Sequence, residues 1–211
     1  DTGWRVRVRD SLRKLPKRTF LVCSRSSGID VLSEMLSQPH LPVLSIWLEE
    51  PLSGETFLRQ FATAAERAFH DPVFQQASSM TYMIEALKDY QKHVGPFRLI
   101  AGWLEEGESH LAQVIDALGE ESAALIVTAR HEKPPPNLDG FYTEDGGFLT
   151  MTLSEAVGEV QGVLSTEQVE DLYQRSGGAF AEFQRLLLQA DSVGLAPPVS
   201  DISGKWDSRI P

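Results

Sequence analysis

The chain contains one cysteine, Cys23, so no internal disulfide can form, and a reducing, cytoplasmic setting is the expectation. It lacks any uninterrupted apolar run near the ~18 residues that a membrane-spanning helix needs. A basic-plus-apolar leader is also missing, so no secretory signal is read from these residues. No Gly-x-Ser-x-Gly elbow occurs, and Cys23 has no His near it in sequence, so neither serine nor cysteine nucleophilic catalysis is indicated. Basic residues are few: 19 Lys+Arg stand against 30 Asp+Glu, a formal net charge of −11 over 211 residues. Because the chain opens on Asp1 rather than Met, it is expected to be a fragment or a processed product.

The charge that is present is unevenly spread. Residues 1–18 carry seven basic side chains (Arg5, Arg7, Arg9, Arg13, Lys14, Lys17, Arg18) against Asp1 and Asp10. The remainder is strongly acidic, which repels a phosphate backbone and argues against direct nucleic-acid binding by this segment. Residues 1–18 read either as a solvated basic arm leading into the fold or as an anion contact.

Apolar patterning then supplies an order of elements. Strands are predicted at 19–23, 42–48, 97–103, 123–128 and 148–153, separated by helical spacing at 29–37, 53–69, 78–93 and 107–118. Strands alternating with helices imply α/β architecture, a parallel five-stranded sheet covered on both faces. Three helices follow, at 154–164, 165–175 and 179–190, with Ser154 and Ser165 as N-cap candidates and Gly177-Gly178 as a stop. The expected organisation is therefore a basic arm (1–18), an α/β core (19–153), a small helical subdomain (154–190) and a linker or tail (191–211).

A strand, small-residue turn and helix at 19–37 is where a nucleotide-binding α/β protein carries its phosphate loop. That chemistry calls for close-approach glycines, a Lys on the phosphates and a Ser/Thr hydroxyl on Mg²⁺. Here the turn reads Ser24-Arg25-Ser26-Ser27-Gly28-Ile29-Asp30, with no Gly-Lys-Ser/Thr. The one Gly-Lys pair, Gly204-Lys205, precedes Trp206 in the tail. Arg25, Ser26, Ser27 and Gly28 are candidate anion or nucleotide contacts; the alternative is a tight turn without a ligand. Arg130, after the fourth strand, either senses a phosphate or pairs with a neighbouring acid. Glu105, Glu106, Glu108 and His110 form a cluster in which Glu106 and His110, four apart, share a helix face. It reads as a solvated acidic helix start or as a metal site serving an unrelated small-molecule enzyme.

In this order the pieces resemble the NTPase domain of MalT-type transcriptional regulators, in the STAND group of P-loop ATPases. The resemblance runs over roughly residues 18–190. It is carried by "VLSIWLEEPLSGETFL" (43–58), by "LIVTARHEKP" (125–134), which is similar to the family's sensor strand with Arg130 on its arginine, and by "LYQRSGGAFAEFQRLLL" (172–188). It implies a P-loop NTPase-like fold, ATP and Mg²⁺ as ligands, and a role in transcription regulation and signal transduction. The departures fall on the chemistry. Ile29 replaces the phosphate-binding Lys, Asp30 the Mg²⁺-binding hydroxyl, and Gly102-Trp103 the paired acids. The resulting expectation is a degenerate ATPase without catalytic residues, metal or required cofactor. It would act as a scaffold or protein-interaction module of a larger bacterial regulator, its partners being other domains of that regulator or another protein. The alternative is a nucleotide-binding ATPase switch with an atypical phosphate loop.

Overall fold

A computed structural model describes residues 3–23, 29–38, 40–48, 53–103, 109–128, 134, 138, 140–160 and 164–192. Its centre is a five-stranded sheet: β1 (Arg18–Val22), β2 (Val43–Leu48), β3 (Arg98–Trp103), β4 (Ala123–Thr128) and β5 (Tyr142–Asp145). The spatial order is β2-β3-β4-β1-β5, and every pairing is parallel. The central strands are apolar through their middles, Phe20–Val22, Leu99–Ala101 and Ala123–Val127, as suits strands covered on both faces. Alternation then divides them between two layers. Phe20, Leu44, Ile46, Leu99, Ala101, Ala124 and Ile126 enter one buried cluster, while Leu21, Ile100, Leu125 and Val127 enter the other.

The first layer is built by α3 (Gly54–Phe69), α4 (Met80–His93) and α5 (Ser109–Asp116). Helix α3 starts where Ser53 accepts from the Thr56 amide, and it presents Phe57, Phe61, Ala65 and Phe69 to the sheet at a 3.6-residue period. Ser79 caps α4 in the same way. Phe69, Phe74, Tyr90 and Phe97 stack and tilt against one another at the base of this layer, with ring centroids 4.2–6.4 Å apart.

The second layer holds α1 (Gly3–Lys14), α2 (Ile29–Leu36), α6 (Leu153–Glu159), α7 (Thr166–Ser176) and α8 (Phe180–Ser192). Residues 3–14, read from their charge as an arm, form a docked helix. Trp4, Val8 and Leu12 lie on one stripe and are buried in this cluster. The Trp4 ring stacks on Phe180 with centroids 3.9 Å apart, and its Nε1 donates to the Leu149 carbonyl. The basic side chains are largely consumed by the fold. Arg7 donates to both oxygens of Glu155 and to the carbonyls of Phe148 and Thr150. Arg5 reaches Glu34 and Glu159, and Lys17 reaches Glu121. Helices α6–α8 share this cluster with α1, α2 and the sheet, so their apolar faces join the core of the α/β layer.

Two boundaries differ from the pattern-based reading. The fifth strand lies at Tyr142–Asp145 rather than 148–153; residues Gly146–Leu149 instead form a 3₁₀ turn. The apolar alternation of Phe148, Leu149 and Met151 serves packing beneath α1 and α8, whereas β5 joins β1 through backbone pairing and is mostly exposed. The cap of α6 is Thr152, in a reciprocal capping box with Glu155, not Ser154. Ser165 and Gly177 hold the ends of α7 as expected, Gly177 in the left-handed region at φ 60°.

Candidate functional site at the carboxyl edge of the sheet

Parallel pairing brings all five strand ends to one edge. Leu48 pairs with Trp103, Trp103 with Thr128, Thr128 with Val22, and Val22 with Asp145. In open α/β sheets this edge binds ligands, at the crevice where neighbouring strands send their connections in opposite directions. Strands β1 and β4 satisfy that condition. From β1 the chain crosses to the far strand β2 through α2 in the second layer. From β4 it passes β1 to reach β5, with Leu138 and Phe141 packing into the first layer. The two ends are joined where the Cys23 amide donates to the Thr128 carbonyl at 2.8 Å.

The predicted contacts Arg25, Ser26, Ser27 and Gly28 follow β1, and Arg130 follows β4; all five lie outside the described residues. What the structure fixes is that the strands leading to them are neighbours. Helix α2 begins at Ile29, so Ile29 and Asp30 open that helix.

The described part of the edge is built of small and apolar groups. Cys23 is half-buried and faces Gly146, where a Cβ would lie 2.4 Å from the Cys23 Cβ and 2.8 Å from the Val22 carbonyl oxygen. Position 146 therefore tolerates only glycine without a backbone shift. Strand β3 ends on Ala101-Gly102-Trp103 and contributes no carboxylate. At the last position of the five strands the one acid is Asp145, and its Oδ1 accepts from the Gly147 amide at 2.8 Å, which caps the following 3₁₀ turn.

His110 sits in the first turn of α5, packed between α3 residues. Its ring lies 5.5 Å from that of Phe57, and a Cβ on Gly54 would be 3.1 Å from its Nε2. Glu105, Glu106 and Glu108 lie outside the described residues. Among the described residues, no group of three or more His, Cys, Asp or Glu side chains is placed to hold a metal ion.

Strongly perturbed titration is found away from this edge. Glu155 is drawn from its ordinary 4.5 to about 2, chiefly by its hydrogen bonds from Arg7, helped by the backbone and hydroxyl of Thr152. Perturbed carboxylates often mark active sites. This one is a structural tie between α1 and the cap of α6, because every group around it belongs to those elements. Among the described residues, no helix is long and apolar enough to cross a membrane.

No family model matches the chain, and no curated protein matches it. Among solved structures it is similar to a signal transduction ATPase with numerous domains (STAND) that carries a tetratricopeptide repeat sensor, from Pyrococcus horikoshii. The identity is 12%, the TM-score 0.47, and the match covers 82% of this chain. The chain spans 28% of that protein's length.

Proposed function

We propose that the chain is a catalytically silent, P-loop NTPase-like domain that serves as a scaffold or protein-interaction module within a larger, cytoplasmic bacterial regulator of the MalT-type STAND kind. The observation that carries this reading is the make-up of the sheet's carboxyl edge. A phosphoryl-transfer site works almost entirely by positioning and charge stabilisation, through a Lys on the phosphates and carboxylates on Mg²⁺. At this edge β3 supplies Gly102-Trp103, α2 opens on Ile29-Asp30, and Asp145 is committed to a cap. An Asp at a helix start suits the macrodipole but repels a triphosphate. Neither ATP nor Mg²⁺ is required by such a domain, and its partners are other domains of the regulator or another protein, not nucleic acid or membrane.

The second reading is a nucleotide-binding switch. It is favoured by the β1–β4 crevice, to which the segments carrying Arg25–Gly28 and Arg130 are attached. A thermal-shift series separates the two. Mg²⁺-ATP is expected to leave the melting temperature of the wild-type chain unchanged. A rise in the wild type that disappears in the Arg25→Ala, Arg130→Ala double variant establishes the switch instead.

A further inference from the structure

The two edges of the sheet are treated differently. Strand β5 closes one edge with four residues, Tyr-Thr-Glu-Asp, two of them acidic, which is how native sheets blunt an open edge. Strand β2 closes the other with Val-Leu-Ser-Ile-Trp-Leu, six residues without a charge, a proline or a glycine. None of the described residues pairs with its outer side.

The register states which groups face outward. The Arg98 amide donates to the Pro42 carbonyl, and Val43 pairs with Arg98. In a parallel ladder the peptide groups alternate, so 42, 44, 46 and 48 serve β3. The N–H and C=O of Val43, Ser45 and Trp47 then point away from the sheet. These residues form the floor of an open groove of about 520 Å³ whose wall is α3, with Arg59, Thr63 and Arg67 along it. Both arginines are exposed, and neither has an ion pair among the described residues. Among the described residues they are the groove's only charged ones, on a chain of net charge −11.

We infer that the outer edge of β2 is a docking site for an extended peptide strand that alternates acidic and apolar side chains, added to the sheet as a sixth strand. Backbone pairing to Val43, Ser45 and Trp47 supplies sequence-independent affinity, and the side walls supply selection. On the α3 side, Arg59 and Arg67 are eight residues apart, ~12 Å along a helix. Carboxylates four residues apart on a strand are separated by ~13 Å, so the two spacings match. On the opposite side lie Val43 and the half-buried Trp47, which suit the intervening apolar side chains. A second copy of this chain is disfavoured as the occupant. Pairing β2 with its own counterpart brings the arginines of both α3 helices towards one groove, which holds no acid among the described residues.

This deepens the interaction-module reading and rests on that half of it. Nucleotide titration touches a different edge, so failure here and failure of the silent-domain reading are separately visible. The test is fluorescence anisotropy with the whole chain and a labelled peptide of about eight residues alternating Glu and Val. The expected result is saturable binding that weakens with salt. It weakens at least ~10-fold in the Arg59→Glu, Arg67→Glu double variant, and it is absent for the Lys–Val counterpart. Ser45→Pro removes an outward N–H while leaving the β3 ladder intact, so it is expected to abolish binding with an unchanged circular dichroism spectrum. If the proline variant does not fold, the surface charge variant decides alone. Equal binding of both peptides, or binding indifferent to the charge reversal, overturns the inference. So does a concentration-dependent dimer by sedimentation that the charge reversal does not affect.

Discussion

At the residue scale, two positions carry more than their size suggests. Arg7 binds Glu155 in a bidentate pair and satisfies two backbone carbonyls, so one guanidinium ties α1 to the 3₁₀ turn and to α6. Arg7→Ala is expected to cost ~1–3 kcal/mol in urea unfolding, within the range for hydrogen bonds to charged groups. The linked pH dependence has a definite sign. Glu155 is depressed from 4.5 to about 2 in the folded state, so its contribution is complete above pH 4.5 and is lost as pH falls towards 2. Unfolding measured between those limits should be less steep in Arg7→Ala than in the wild type; equal slopes contradict the assignment. Gly146→Ala forces a Cβ within 2.4 Å of Cys23 and should destabilise by ~1–3 kcal/mol. An alanine variant with an unchanged melting temperature would show that this crevice is looser than described.

At the element scale, α1 is the informative case. Its charges dominate any compositional reading, yet Trp4, Val8 and Leu12 recur every four residues and form the stripe that docks it. Trp4→Ala removes a stacked ring and an indole hydrogen bond and should cost ~3–5 kcal/mol, read as a lower urea midpoint. A loss below ~1 kcal/mol means that the helix is not part of the cooperative core.

The same comparison explains what was legible in the sequence. Strands β1 to β4 and helices α3, α4 and α7 announce themselves because burial dictates their residues: predominantly apolar strands, a 3.6-residue stripe, and Ser53, Ser165 and Gly177 at the ends. Strand β5 does not, because an exposed edge strand held by backbone pairing leaves no apolar alternation, and Phe148, Leu149 and Met151 imitate one nearby. For the candidate site, the lack of a Gly-Lys-Ser/Thr sequence after β1 and of an acid on β3 is read directly from sequence. The Arg59–Arg67 groove is not, because it needs the knowledge that β2 is an outer strand.

At the scale of the whole molecule, charge and topology support the same account. The 30 acidic residues outnumber the basic ones by eleven, and several of the basic ones are consumed in internal ties. Self-repulsion of that excess is screened by salt. The melting temperature should therefore rise by a few degrees between low and physiological ionic strength; a fall would mean that the Arg–Glu ties outweigh the repulsion. The sheet's carboxyl edge has, between β1 and β4, the kind of crevice at which open α/β sheets bind ligands, while β3 ends on Gly102-Trp103 and α2 begins with Ile29-Asp30.

The most direct measurement of that central claim is isothermal titration of the whole chain with Mg²⁺-ATP, followed by assay of released phosphate. A catalytically silent domain gives no saturable heat and no phosphate above the buffer rate. Micromolar binding accompanied by turnover contradicts the account.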